Sequence, residues 1–255
     1  MDNSFDLITE EFISDMEAIR SLVETFSDTK NPGKVRIAAA NSSTLLVAAT
    51  FEEFVREMAR EFARAVVARA KSLDKLPSKL VSTAWKRTIE GLARLRLDGD
   101  QTGAVAESVF GTAQAKFAVI YGFCKGDLTQ DIYRDLIHNE NNMRPNELNS
   151  LFKVSGLGDV CKQLSDKGPM LVRFGETDPN MAHGKLISGL EDFFERRNAI
   201  AHALNLGQSS HPDQITNDIE LLKSVGAALC ETLCASVPMS PDLLAPKPNC
   251  SDTRH

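Results

Sequence analysis

Aromatic residues are scarce: two Tyr, one Trp and 13 Phe, 6% of 255 residues. No run alternates β-branched with polar residues, so a sheet has little to be built from. A positive excess is also missing. With 29 basic and 35 acidic residues the net charge is −6, which repels polyanions weakly at long range and counts against a non-specific DNA coat. It leaves room for an enzyme that touches RNA through a local basic patch. The strongest apolar run, Leu45 to Ala49, falls far short of the roughly 20 residues of a membrane helix, so no membrane contact is expected. The start, Met1-Asp2-Asn3-Ser4-Phe5-Asp6, lacks the basic region of a secretory leader. The cysteine count is odd: Cys124, Cys161, Cys230, Cys234 and Cys250. Without an export signal these read as reduced thiols in a cytoplasm. Familiar cofactor signatures are lacking too. Gly33-Lys34 has neither the earlier glycine nor the following Ser/Thr of a phosphate-binding loop, no His-Glu-x-x-His occurs, and Gly156-Leu157-Gly158 follows no strand. No cofactor or metal is expected.

What is present has a helical period. Apolar residues three and four apart predict helices over about 7–26 (Phe12, Met16, Ile19, Leu22, Val23), from 35 or 41 to 73 (Phe54, Met58, Phe62, Val66) and over 79–97 (Leu80, Trp85, Ile89, Leu92). Asn31-Pro32-Gly33 and Pro77 separate them. A fourth helix, about 104–123, is rich in small residues (Ala104, Ala106, Gly111, Ala113, Ala115, Ala118) and is expected inside the bundle. Residues 126–185 are dense in Asn and Gly, and are expected as short helices joined by loops, a long irregular insertion of the kind that often carries function. Two further helices follow, about 184–204 and 212–236, the second opened by Pro212 and Asp213. Residues 238–255, with Pro238, Pro241, Pro246 and Pro248, are expected as a disordered tail. The expected fold class is therefore all-α, one helical domain over 1–237.

One helix carries the chemistry. On a wheel of about 100° per residue, Leu186, Leu190, Phe193, Phe194, Ile200, Ala201 and Leu204 share one apolar face. Arg197 falls in the middle of it, with Asn198 and His202 together on its flank. An arginine in an apolar stripe is costly unless it is paired or lines a cleft. A guanidinium beside an imidazole and an amide suits phosphodiester chemistry: imidazole moves a proton near neutral pH, and arginine offsets charge that builds on phosphate. A core salt bridge for Arg197 and a satisfied flank position for His202 are the plainer alternative. Arg197 and His202 also diverge by about 140° on one helix, so one helix alone does not bring them together. Two copies packed across a twofold would.

Arg197-Asn198-Ala199-Ile200-Ala201-His202 resembles the R-x4-6-H motif of the HEPN superfamily, with its favoured polar residue directly after the arginine. Leu45 to Phe54 is similar to the opening core helix of the RiboL-PSP-like prokaryotic branch, and Asn146 to Phe152 to its middle region. The resemblance covers most of 41–236. It implies an α-helical bundle, a homodimer formed through the motif helix, and a metal-independent endoribonuclease with RNA as substrate. Such proteins are often toxins or phage-defence effectors with an antitoxin or defence partner. Carried over by residue, Arg197 and His202 would be catalytic, with Asn198 orienting the histidine or the phosphate. Some superfamily members are instead non-catalytic scaffolds or nucleotide binders.

Other residues weigh less. Arg196, off the apolar face, is a candidate RNA contact or the partner in an ion pair. His138, beside Asn139, Asn141 and Asn142, is a candidate RNA contact or an ordinary loop histidine. His183 is expected as a cap or loop residue. The Arg56/Arg60/Arg64 ridge, interleaved with glutamates, reads as a solvated helix face. Cys230 and Cys234, one turn apart, could join Cys161 in a metal site, but no further ligand stands at metal-binding spacing, and buried thiols are the expectation.

Overall fold

The computed structural model describes residues 4–95, 107–138, 141–202 and 210–237. These hold ten α-helices and no strand. Helices α1 (Ser4–Ser27) and α2 (Gly33–Arg69) form a hairpin. The Pro32 turn sends α2 back along α1, so that Ser4 Oγ reaches Glu61 Oε1 at 2.7 Å. The last helix, α10 (Pro212–Ser236), also runs against α1, with Lys223 bonded to Glu17 and Cys230 close to Asp6. Phe12 and Phe54 stack at 4.1 Å between ring centres where the three helices meet. Gly226 leaves room for that stack: a Cβ there would lie 2.8 Å from the Phe12 ring.

Helix α3 (Ser78–Ala93) and helix α4 (Glu107–Cys124) form a second pair at the side of this core. Here the expectation of an interior α4 fails. Among the described side chains of α4 only Ile120 and Phe123 are fully buried, whereas Phe110, Phe117 and Tyr121 stand 44–49% exposed. Its alanines and glycines permit close approach but do not require it, and Gly111 has nothing within 4 Å of a built Cβ. The exposed rings pack on one another instead, Trp85 against Phe117 and Phe117 against Tyr121. Part of the expected helix, 104–106, lies outside the described residues, as do the 238–255 tail and Asn139.

The middle segment forms α5 (Tyr133–Leu136), α6 (Pro145–Lys153), α7 (Val160–Ser165) and α8 (Gly168–Phe174). Short helices joined by turns were expected; their depth was not. Leu148, Phe152, Val160, Cys161, Leu164 and Met170 are fully buried, so this segment supplies core rather than decorating it. Its asparagines have local work. Asn149 Oδ1 accepts from the Cys161 N–H at 2.9 Å, and the left-handed Asp159 (φ 46°) caps α7 by accepting from Lys162 N.

Helix α9 (Pro179–His202) carries the motif. It starts five residues before the expected Gly184. Asp178 Oδ1 accepts from Asn180 N at 2.9 Å and Pro179 opens the first turn, an Asp-Pro start signal that outweighs a single glycine. His183 therefore lies within the helix and is neither cap nor loop. The start of α10 at Pro212 is as expected, though His211 is its cap: Nδ1 accepts from Asp213 N at 3.4 Å.

Candidate active site

The apolar face of α9 is buried only along its first two-thirds. Leu186, Leu190, Phe193 and Phe194 are fully covered, lying on α2 and α7, with Phe194 against Phe51. Beyond Phe194 the helix emerges from the bundle. Ile200 is half-buried, while Ala199, Ala201 and His202 are exposed. Leu204 lies outside the described residues.

Arg197 sits at this exit, half-buried. Its one hydrogen bond among the described residues runs from Nη1 to Asn198 Oδ1 at 3.2 Å, and its Nε is buried with no partner. No carboxylate among the described residues pairs with it within 4.0 Å. Glu52, a buried residue of α2, is the acidic group whose charge it feels. Burial raises the Glu52 carboxyl above its ordinary range, and Arg197 and then Arg56 pull it back down. The core salt bridge of the plainer alternative is thus absent at ion-pair distance. Asn198 Oδ1 also accepts from Asn142 Nδ2 at 2.7 Å, and Arg144 pairs with Glu191 at 2.5 Å. The loop before α6 is thereby pinned along α9 and holds the Asn198 amide.

His202 is the last residue of α9. Five residues from Arg197, it lies about 7.5 Å further along the axis and about 140° around it. One chain does not bring the two side chains together. None of the four principal cavities among the described residues is lined by Arg197, Asn198 or His202.

Two further candidates sit elsewhere. Arg196 Nη2 is 2.6 Å from Asp218 Oδ1 on α10, and Gln214 Nε2 donates to the same oxygen at 3.0 Å. Asp218 is buried, which lifts its carboxyl above the usual range despite Arg196. Arg196 thus ties α9 to α10, the ion-pair alternative, and its guanidinium is committed within the chain. His138 follows α5 and lines a separate cleft of about 170 Å³ with Arg87, Arg94, Lys116 and Asp135. The arginine ridge is ion-paired with its interleaved glutamates, Arg60 lying between Glu53 and Glu57 and Arg64 pairing with Glu61. The fully solvated face expected holds only at Arg64, since the Arg56 and Arg60 side chains are 19% exposed.

Sequence reading missed Glu52 and Asn142 as neighbours of the motif. Glu52 was findable, because it falls on the Ala48–Val55–Ala59 line of α2, all buried. Asn142 lies in a loop, where no periodicity marks it.

A family model described as RiboL-PSP-HEPN matches residues 10–235, from α1 to the end of α10. The chain belongs to the RiboL-PSP-HEPN family. The all-α bundle is that of a HEPN domain, and the HEPN superfamily is often ribonucleolytic. No curated protein and no solved structure matches the chain. No helix among the described residues of this HEPN chain is long and apolar enough to cross a membrane.

Proposed function

We propose that this HEPN chain is a metal-independent endoribonuclease that works as a homodimer in the cytoplasm, as a toxin or phage-defence effector held in check or triggered by a partner protein. The observation that carries this reading is the state of Arg197. Its guanidinium is half-buried at the exit of α9 and, among the described residues, has no carboxylate at ion-pair distance. A half-buried charge is costly without a counter-charge, and a phosphate oxygen is the partner a guanidinium fork fits best.

The chemistry needs little more. The ribose 2′-oxygen attacks phosphorus, and the bond from phosphorus to the 5′-oxygen breaks. The products are a 2′,3′-cyclic phosphate and a 5′-hydroxyl. His202 moves a proton between the two oxygens, Arg197 stabilises the charge on the non-bridging oxygens, and Asn198, fixed by Asn142, orients the phosphate. RNA brings its own nucleophile, so the residues need only position it, move the proton and offset charge. Pairing two copies of α9 across a twofold covers Ile200 and Ala201 and brings Arg197 of one copy towards the His202 of the other.

The test is cleavage of RNA in chelator. Wild type yields cyclic-phosphate ends, and Arg197→Ala and His202→Ala each lower the rate by on the order of a hundredfold or more. Equal rates in all three assign the chain instead to the non-catalytic members of the superfamily.

A further inference from the structure

Cys230 and Cys234 lie one turn apart on α10, and the sequence offers no third ligand at metal-binding spacing. The fold supplies one. Helix α1 crosses the end of α10 so that Asp6 Oδ1 lies 3.3 Å from Cys230 Sγ. The two sulfurs and a carboxylate oxygen all stand within 4.8 Å of one another. We propose that Asp6, Cys230 and Cys234 form a Zn²⁺ site that clamps the first helix to the last.

The donor set and its spacing carry the proposal. Two thiolates and a carboxylate suit Zn²⁺ better than a hard cation, which prefers oxygen alone. Zinc–sulfur bonds of about 2.3 Å at tetrahedral angles put ligand atoms roughly 3.8 Å apart, so the cluster needs a contraction of about 1 Å or less at its widest separation. Cys230 is buried, whereas Asp6 and Cys234 are at the surface, which leaves the fourth position open to water. On binding, the cation takes the place of the two thiol protons, which are released. None of the described cysteines is in a disulfide.

The clamp is remote from the motif. Cys230 is twelve residues along α10 from Asp218, about 18 Å, so its fate and that of the nuclease reading separate. The experiment uses the full reduced chain, stripped with chelator and reloaded with one equivalent of Co²⁺ or Zn²⁺. Co²⁺ gives a thiolate charge-transfer band, and Zn²⁺ raises Tm by about 5 °C or more. Asp6→Asn and Cys234→Ser, both surface changes, lose the band and the shift; Cys124→Ser and Cys250→Ser keep them. Absence of the band in wild type, or its persistence in Cys234→Ser, overturns the proposal. Chelation leaves any RNA cleavage in place at temperatures below the lowered Tm.

Discussion

Two neighbouring arginines on α9 meet opposite fates, and the difference is which carboxylate faces each. Arg196 finds Asp218 at 2.6 Å, so it is structural. Removing it leaves a buried charge unpaired, and Arg196→Met is expected to cost on the order of 3 kcal/mol at neutral pH by denaturant unfolding. The pH dependence has a definite sign. Burial holds the Asp218 carboxyl above its ordinary range, so the folded chain binds this proton more tightly than the unfolded one. Its contribution to stability therefore falls as pH rises from about 4, the unfolded value, towards the raised one. Loss of Arg196 raises it further, so the penalty of Arg196→Met shrinks as pH falls; a penalty that grows towards acid contradicts the pairing. Arg197, by contrast, has only Asn198 as a hydrogen-bond partner among the described residues, and Asn198 is steadied by Asn142. A neutral hydrogen bond contributes about 1 kcal/mol, so Asn142→Ala is expected to slow RNA cleavage about fivefold while lowering Tm by no more than about 2–4 °C.

At the scale of elements, the packing of α10 and α9 each passes through a glycine, and the two differ in what they face. A Cβ on Gly226 would meet the Phe12 ring at 2.8 Å and Phe54 at 3.4 Å, rigid rings already stacked on each other. A Cβ on Gly189 would meet the Cδ2 of Leu221 at 2.9 Å, the far end of a side chain that can turn aside. Alanine gains about 1 kcal/mol of helix propensity at either site. Gly226→Ala is expected to be net destabilising by about 1–2 kcal/mol, a drop of about 2–8 °C in Tm, while Gly189→Ala is near neutral or stabilising. Equal Tm changes would mean that the aromatic stack yields as readily as a leucine. Such contacts are invisible in the chain's periodicity, which nevertheless carries much of the fold. Pro212 with Asp213 marks the start of α10, and the stripe from Ile215 to Leu233 marks its buried face. The motif helix, the break at Pro32 and the ion-paired arginine ridge are equally legible. What escaped has a physical reason in each case. Small residues on α4 say nothing about which side is covered, Asp178-Pro179 competed with a glycine that is tolerated within a helix, and Asp6 meets Cys230 only through the crossing of the first and last helices.

For the whole molecule, the decisive feature is that α9 leaves the bundle before its motif ends. Ile200 is only half-buried, and Ala199 and Ala201 lie exposed, beside a guanidinium that makes a single hydrogen bond among the described residues and an imidazole about 7.5 Å away along the axis. Within one chain these groups diverge, so a site that uses both must draw on two copies. A twofold contact is self-complementary, and burying apolar residues from both copies favours it. Ile200→Asp is therefore expected to shift sedimentation from dimer to monomer and to abolish cleavage while Tm moves little, since Ile200 is peripheral to the core. Complementation is the sharper consequence. If each cleft takes Arg197 from one copy and His202 from the other, Arg197→Ala and His202→Ala are each inactive alone. Mixed after subunit exchange, half the dimers are hybrids, and each hybrid holds one intact cleft of two, so about a quarter of the wild-type rate returns. If both groups act from the same chain, the mixture leaves each intact pair broken and no rate returns.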